Sequence, residues 1–243
     1  MQPFRRGQHS ARIAETEDDL RAAQRLRHHA FRTARGLPPG RDGLDHDPLD
    51  ATCRHLLIEC GGALIGTCRL RVFADGRGLR DSYAALFYDL GPLTGYGQPL
   101  LELGRFCIAT GDPDALRTAW AALTRVVDAE GVGLLFGCSS FDGAEPARHR
   151  AALSLLAERH LGPAALRPRR AGGEAVTLCP GGDDPRAAVA QMPPLLRTYL
   201  AMGGWVSDHA VIDRDLDTLH VFTAVEIAAI PPARARLLRA DAA

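Results

Sequence analysis

Lysine is missing from this chain. All 29 basic residues are arginines, set against 29 acidic residues, so the formal charge at neutral pH is zero. Without a lysine amine there is no P-loop phosphate partner, no pyridoxal phosphate anchor and no Schiff-base nucleophile. Zero net charge also excludes a whole-surface nucleic-acid binder, because phosphate affinity comes from uncompensated cations. A local basic patch is still compatible with it. Long apolar runs are absent too: stretches such as Val132 to Cys138 fall far short of the roughly 20 residues that span a bilayer. The basic start, Met1 to Gly7, has no apolar stretch behind it. Neither a transmembrane helix nor a secretory signal is expected, and the expected compartment is the cytoplasm. The six cysteines include no C-x-x-C pair and mostly lie inside strand-like apolar runs. They read as reduced core thiols rather than zinc ligands, and no metal or redox cofactor is implied.

What is present is an ordinary globular composition, 46% hydrophobic over 243 residues, long enough for one sizeable core. Thr16-Glu17-Asp18-Asp19 resembles a capping box, and Leu20, Ala23, Leu26, Ala30 and Phe31 follow at helical spacing, predicting a helix from about Asp18 to about Arg35. The polar segment Arg41 to Asp50 reads as a loop. Two strand-like runs, Arg54 to Cys60 and Ala63 to Phe73, are joined by Gly61-Gly62, a hairpin signal. After an ambiguous stretch, Leu100 to Ala109 reads as a strand and Asp112-Pro113 as the start of a helix closed by Gly131. A strand over Val132 to Ser139 and a helix from Pro146 to about Leu161 follow. Strand, helix, strand in this order predicts a parallel pair with a right-handed crossover. Glu174 to Cys179 reads as a short strand, Gly181 to Pro185 as a loop, and Pro194 to Met202 as a helix. Trp205 to Asp213 and Leu219 to Ile227 read as closing strands. The expected fold is one α/β domain over residues 1–243, with a core of about 12–180 and a C-terminal helix and strand extension of about 186–243.

This element order resembles that of the GNAT acyltransferases, with a mixed central sheet flanked by helices. More specific are Arg27-x-x-x-Phe31, then Asp45, Asp47 and Asp50, then Gly66-Thr67-Cys68-Arg69-Leu70, then Glu102-Leu103-Gly104-Arg105-Phe106. That succession resembles two GNAT branches that use acyl carrier protein thioesters, the acyl-homoserine-lactone synthases and the ornithine Nα-acyltransferases of ornithine-lipid synthesis. Leu135 to Phe141, Pro193 to Leu200 and the Val211 to Phe222 tail look like the ornithine branch. Gly36-Leu37-Pro38 stands where a homoserine-lactone synthase would carry tryptophan, which also favours that branch. The GNAT pyrophosphate loop is replaced by Ala109-Thr110-Gly111-Asp112-Pro113, as suits a donor held by its carrier protein and pantetheine arm.

The resemblance implies an acyl carrier protein dependent transfer of a 3-hydroxyacyl group to the α-amine of L-ornithine, giving lyso-ornithine lipid. Homoserine-lactone synthesis and a non-catalytic carrier- or lipid-binding module stay open as alternatives. Amide formation from a thioester needs an oxyanion donor and a route for the amine proton. The resemblance places the pantetheine arm between the Leu100 to Ala109 and Val132 to Ser139 strands, with a backbone N–H near Phe106 or Cys107 as oxyanion donor and Ser139 and Ser140 beside the arm. Glu102 is the candidate proton acceptor and Arg105 its catalytic companion. Three positions apart, they meet only if a bulge intervenes, for which Gly104 is the natural place. The alternative is that Glu102, Arg69, Arg105 and Asp47 or Asp50 form a buried ion-pair network. For ornithine, Asp45, Asp47 and Asp50 are candidates for the side-chain ammonium and Arg69 or Arg27 for the carboxylate, with Phe31 one turn from Arg27 on the same face. Arg27 reads equally as an exposed helix residue. Ser139, Ser140 and Cys138 are not read as nucleophiles, since no G-x-S-x-G and no histidine partner is evident.

A long acyl chain gains about 0.8 kcal/mol per buried methylene, so an apolar tunnel is expected, with Leu134, Phe136, Leu153 and Leu156 as candidate walls. Peripheral contact with the inner face of a membrane would fall on Leu195, Leu196, Tyr199 and Leu200, which read equally as a core-packing face. Acyl carrier protein would dock at Arg167, Arg169 and Arg170 or at Arg77 and Arg80.

Overall fold

A computed structural model describes residues 3–109, 111–181 and 184–242. Met1, Gln2, Thr110 in the segment before the Asp112-Pro113 helix start, Gly182 and Asp183 of the 181–185 loop, and Ala243 lie outside the described residues. The strands are β1 (Phe4–Arg6), β2 (His9–Ile13), β3 (Arg54–Cys60), β4 (Ala63–Phe73), β5 (Tyr88–Asp89), β6 (Leu100–Ile108), β7 (Leu134–Asp142), β8 (Arg169–Arg170), β9 (Ala175–Thr177), β10 (Trp205–Asp213) and β11 (Thr218–Glu226). The helices are α1 (Glu17–Phe31), α2 (Pro113–Ala129), α3 (Arg150–Arg159), α4 (Pro185–Gln191), α5 (Pro194–Ala201) and α6 (Pro232–Ala242). The class is α/β, as expected. Two compact units divide the chain: residues 1–72, 101–132 and 232–243 form one, and residues 73–100 and 133–231 the other.

In the first unit the strand order is β1-β2-β3-β4-β6. The β3–β4 hairpin turns at Gly61 and Gly62, both at positive φ (57° and 85°), the conformation a two-residue turn demands and glycine supplies. Thr16 caps α1 with a reciprocal capping box to Asp19, which satisfies otherwise orphaned N–H groups. α1 stops at Phe31, and a 3-10 turn over Thr33–Arg35 replaces the expected last turn. Asp112 caps α2 with Pro113 at its first position. β3 separates the two helices: Ile58 packs with Ala115 and Ala119 of α2, while His55, of opposite parity, meets Arg27 of α1.

Three features of this unit depart from the sequence expectation. The N-terminus forms β1 and β2, with His9–Ile13 laid antiparallel on β3. The segment from Arg41 to Asp50 is not a plain loop, because 3-10 turns cover Arg41–Gly43 and Pro48–Thr52. α6 was also unforeseen, and packs near Phe4 and Ala121 through Ala242.

In the second unit the order is β7-β11-β10-β9, with every adjacent pair antiparallel, and β5 pairs with β8. β7 begins two residues later than expected and runs on to Asp142, matching β11 along its whole length. The helix expected from Pro146 is a 3-10 turn over Pro146–His149 followed by α3, which ends at Arg159. Alternation along β11 sends Phe222 to one face, with Leu134 and Phe136, and Val221 to the other, with Leu153 and Leu156. The four residues expected to wall one tunnel therefore belong to opposite faces of the sheet. Leu196 and Tyr199 of α5 are buried, so the face suggested for membrane contact is a packing face.

Candidate active site

The site of the first unit is built around Arg27, whose side chain is fully buried. It is not an exposed helix residue. Its Nη2 donates to both oxygens of Asp50 (3.1 and 2.8 Å) and to the backbone oxygen of Asp45 (2.5 Å), while Nε stands 3.0 Å from the Asp45 carboxylate. Gln24, three residues back on the same helix face, donates to Asp50 at 2.9 Å. Arg69 on β4 donates to Asp47 (2.7 Å) and to Asp50 (3.1 Å). Arg105 on β6 completes the set, 3.3 Å from Asp45 and 3.7 Å from Asp47. Three guanidiniums and three carboxylates thus balance in charge, the condition under which such groups tolerate removal from water.

Local structure explains why the acids converge. Asp47 caps the Pro48–Thr52 turn by accepting from Leu49 N–H (2.8 Å), which places Asp50 one turn on. The Asp45 N–H donates to the Gln24 carbonyl at 3.1 Å, tying the segment to α1. His55 fixes the other side: its Nε2 lies 3.1 Å from the Asp50 carbonyl and its Nδ1 3.4 Å from Arg27 Nη1. Since a carbonyl and a guanidinium offer one acceptor and one donor, His55 is a neutral ring protonated at Nε2. Burial lowers its pKa further, against the pull of Asp50. For Asp50, burial pushes the pKa up, but hydrogen bonds and charge from Arg27, with Gln24 and Arg69, outweigh it and hold it below the usual range. Burial opposes the Arg69 charge, and Asp47 more than restores it.

The network is graded in depth. Arg27, Arg69 and Asp50 expose 0%, 3% and 6% of their side chains, against 17% for Arg105 and 23% for Asp47. The last two form the more exposed edge of the network.

Glu102 is buried on β6. Its charge is felt at Cys53, whose thiol is pushed up chiefly by burial and also lies in the field of Arg69. The irregularity expected at Gly104 falls instead on Arg105, at φ 50°. A left-handed arginine costs roughly 1–2 kcal/mol, and the two aspartates at its guanidinium hold it there. A Cβ on Gly104 would lie 3.9 Å from Arg69 Nε, so that side of β6 faces Arg69, and strand alternation puts Glu102 on the same side. Phe31 ends α1 half-buried. Phe106 is half-buried against Ile58, Ala115 and Ala119. Cys107 is buried, and its thiol is pushed up to about 12 by that burial, so it stays protonated and unreactive.

Ser139 and Ser140 belong to the second unit. Ser139 is buried and accepts from Thr223 Oγ1 at 3.0 Å. Ser140 is exposed, and its cross-strand neighbour is His220, a pairing that sequence reading missed. His220 Nδ1 lies 3.1 Å from Tyr88 Oη, which donates to the His220 carbonyl at 2.8 Å, and the ring packs edge-on against Phe87. Burial pushes its pKa down to about 4. Gln24 and His55 were also missed. The Gln24-x-x-Arg27 spacing was the available signal for the first; the second had none, because only strand register brings His55 opposite Arg69.

The acetyltransferase (GNAT) domain family matches residues 26–111, the span that holds Arg27, the three aspartates, Arg69, Glu102 and Arg105. An L-ornithine N(alpha)-acyltransferase of Rhodobacter capsulatus is 32% identical over 236 residues, covering 90% of each chain. One of Brucella abortus is 31% identical over 245 residues, covering 91% of this chain and 85% of the relative. Among solved structures, an N-acyl amino acid synthase from uncultured soil microbes superposes with a TM-score of 0.52 at 13% identity, over 93% of this chain and 92% of that one. The last shows a shared fold.

Proposed function

The chain belongs to the L-ornithine N(alpha)-acyltransferase family, and from that premise we propose that it moves an acyl group, 3-hydroxylated, from the pantetheine thioester of acyl carrier protein to the α-amine of L-ornithine, releasing lyso-ornithine lipid. The observation that carries the proposal is the match to the Rhodobacter capsulatus relative along nine-tenths of both chains. The chemistry is direct attack. The neutral amine adds to the thioester carbonyl, a backbone N–H near Phe106 or Cys107 takes the oxyanion, the thiolate leaves, and Glu102 receives the amine proton directly or through water.

Burial sorts the substrate roles. Arg105 and Asp47, at the more exposed edge of the network, take the ornithine carboxylate and side-chain ammonium. Arg27, Asp50 and Arg69 are positioning residues, since their charges are already matched to one another. Phe31 closes the apolar side of the substrate. No resident cofactor takes part; the phosphopantetheine belongs to the donor substrate.

The carrier is acidic, and the arginines around a cleft of about 330 Å³ suit it: Arg167, Arg169 and Arg170, with Thr177 and Asp208. Arg169 contacts Asp89 at 3.9 Å and exposes 74% of its side chain, against 23% for Arg167, which stands 3.4 Å from Asp208, so Arg169 is the more available of these two arginines to a partner.

The test is incubation of the purified chain with 3-hydroxyacyl carrier protein and ornithine, products being weighed by mass spectrometry. N-acylornithine is expected. Its absence overturns the proposal, and lactone with methylthioadenosine from S-adenosylmethionine would assign homoserine-lactone synthesis instead.

A further inference from the structure

The outer face of α6 is basic and bears an outward leucine. Arg236 is exposed, and Leu237 leaves 51% of its surface open. Ala240 lies one turn beyond Arg236 on the same side. It lines a cleft of about 390 Å³ with Phe4, Arg5, Arg6, Arg125 and Asp241, so the helix face and the β1 arginines form a continuous surface in the first unit.

The carboxylates bonded within this surface are already used. Asp241 accepts from Arg6 at 2.9 Å, and Asp128 accepts from Arg239 at 2.8 Å. Arg125 donates to the Ala242 carbonyl at 2.7 Å and stands 4.9 Å over the Phe4 ring, an arrangement that holds α6 against the N-terminal strand. Arg5, Arg234 and Arg236 have no carboxylate partner among the described residues. In a chain whose total charge is zero, this is a concentration of uncompensated positive charge rather than a share of a general excess.

Guanidiniums spread around an exposed aliphatic side chain are matched by phosphodiester headgroups above an acyl layer. The arginines bind phosphate oxygens bidentately while their stems and the leucine enter the interface. An acidic protein face would answer the charge but offer Leu237 no acyl layer. We infer that the surface formed by Arg5, Arg236 and Leu237 seats this protein on a bilayer containing anionic phospholipid. The surface includes none of the residues proposed for ornithine acylation and does not depend on that reading.

Flotation of the purified full chain with vesicles tests it, using phosphatidylcholine alone or mixed with phosphatidylglycerol. The chain is expected to float with the anionic vesicles at low salt, to be released at high salt and to ignore pure phosphatidylcholine. Arg5→Glu with Arg236→Glu should cut the bound fraction at least about tenfold, and Leu237→Ala by a smaller factor, with unchanged circular dichroism. Turnover with soluble carrier and ornithine in vesicle-free buffer should be unaffected. Absence of binding at low salt, equal binding to both vesicle types, or binding that survives the double reversal each overturns the inference. A raised KM for carrier protein in the double reversal, without vesicles, would make the surface a carrier-docking site and overturn it as well. If the chain lacks acyltransferase activity altogether, the flotation result still decides this inference on its own.

Discussion

Arg27 donates to both carboxylate oxygens of Asp50 from a helix that exposes none of the arginine side chain. Removing one partner of a buried pair strands the other, at a cost of roughly 3–5 kcal/mol. Arg27→Met should lower the unfolding free energy by about that amount in urea titration. Arg27→Met combined with Asp50→Leu should recover part of it, because both charges then leave the interior. Equal stability of Arg27→Met and the native chain would show that the network carries no stability.

The left-handed backbone at Arg105 separates strain from contact. Arg105→Gly and Arg105→Ala both lose the contacts to Asp45 and Asp47, but only alanine keeps the steric penalty of positive φ, about 1 kcal/mol. The glycine variant should therefore be the more stable by that margin in thermal melts. Both should raise the KM for ornithine, since both remove the guanidinium proposed for its carboxylate. Alanine as stable as glycine would mean that the backbone relaxes once the side chain is gone.

Local chemistry was legible in the sequence, and long-range pairing was not. The Thr16 box, the Gly61-Gly62 turn and the Asp112-Pro113 start each sit within a few residues, and the structure has all three. β1 and β2 lacked such a signal, because what makes His9–Ile13 a strand is register with residues 56–60. The same limit left Arg27 open between a binding and a surface reading: a charged helix residue can be placed only once its acids, 18 and 23 residues away, fold over it. Glycine drew the expected irregularity to position 104, although ion pairing holds it at Arg105. The aspartates were recognisable as a group, and a buried network of Arg69 and Arg105 with Asp47 or Asp50 was one of the two readings the sequence allowed; what needed three dimensions was the place of Arg27 at its centre.

Glu102 is buried on the side of β6 that faces Arg69, where a carboxylate serves either as proton acceptor or as a fixed charge. Glu102→Gln keeps the shape and a hydrogen-bonding oxygen but removes the base. Loss of a general base costs about a hundredfold or more in rate, so kcat should fall by at least about that factor with KM for ornithine little changed. A folded Glu102→Gln variant with full turnover would exclude the role and leave Glu102 as structural charge.

His220 predicts an acid-sensitive fold. Burial lowers its pKa from an ordinary value near 6.5 to about 4, so between those values the unfolded chain binds a proton that the folded chain refuses. Stability from this group is complete above about pH 6.5 and falls as pH drops toward 4, by about 3 kcal/mol in all. Asp50, whose folded pKa is depressed, acts in a separate window: its contribution is lost only below about pH 4, where unfolded aspartate protonates. Urea midpoints measured from pH 7 to 4 should decline, and His220→Gln should flatten that decline while leaving the steeper loss below it.

Arg169 and Arg170 test the carrier surface. Both are exposed on β8. Arg169 touches Asp89 at 3.9 Å and Arg170 donates to Thr177 Oγ1 at 2.5 Å, so neither is bound into the core. Reversing both to glutamate turns attraction for an acidic carrier into repulsion, which acts on encounter and affinity more than on chemistry. The KM for acyl carrier protein should rise at least about tenfold with kcat held, and added salt should raise the native KM while narrowing the gap between the two proteins. Arg77, by contrast, donates from Nε and Nη2 to one oxygen of Asp75 (3.0 and 2.5 Å), so its charge is answered locally and its reversal should move the KM less. An Arg169→Glu, Arg170→Glu double variant with native KM at low salt would remove this group from the docking surface.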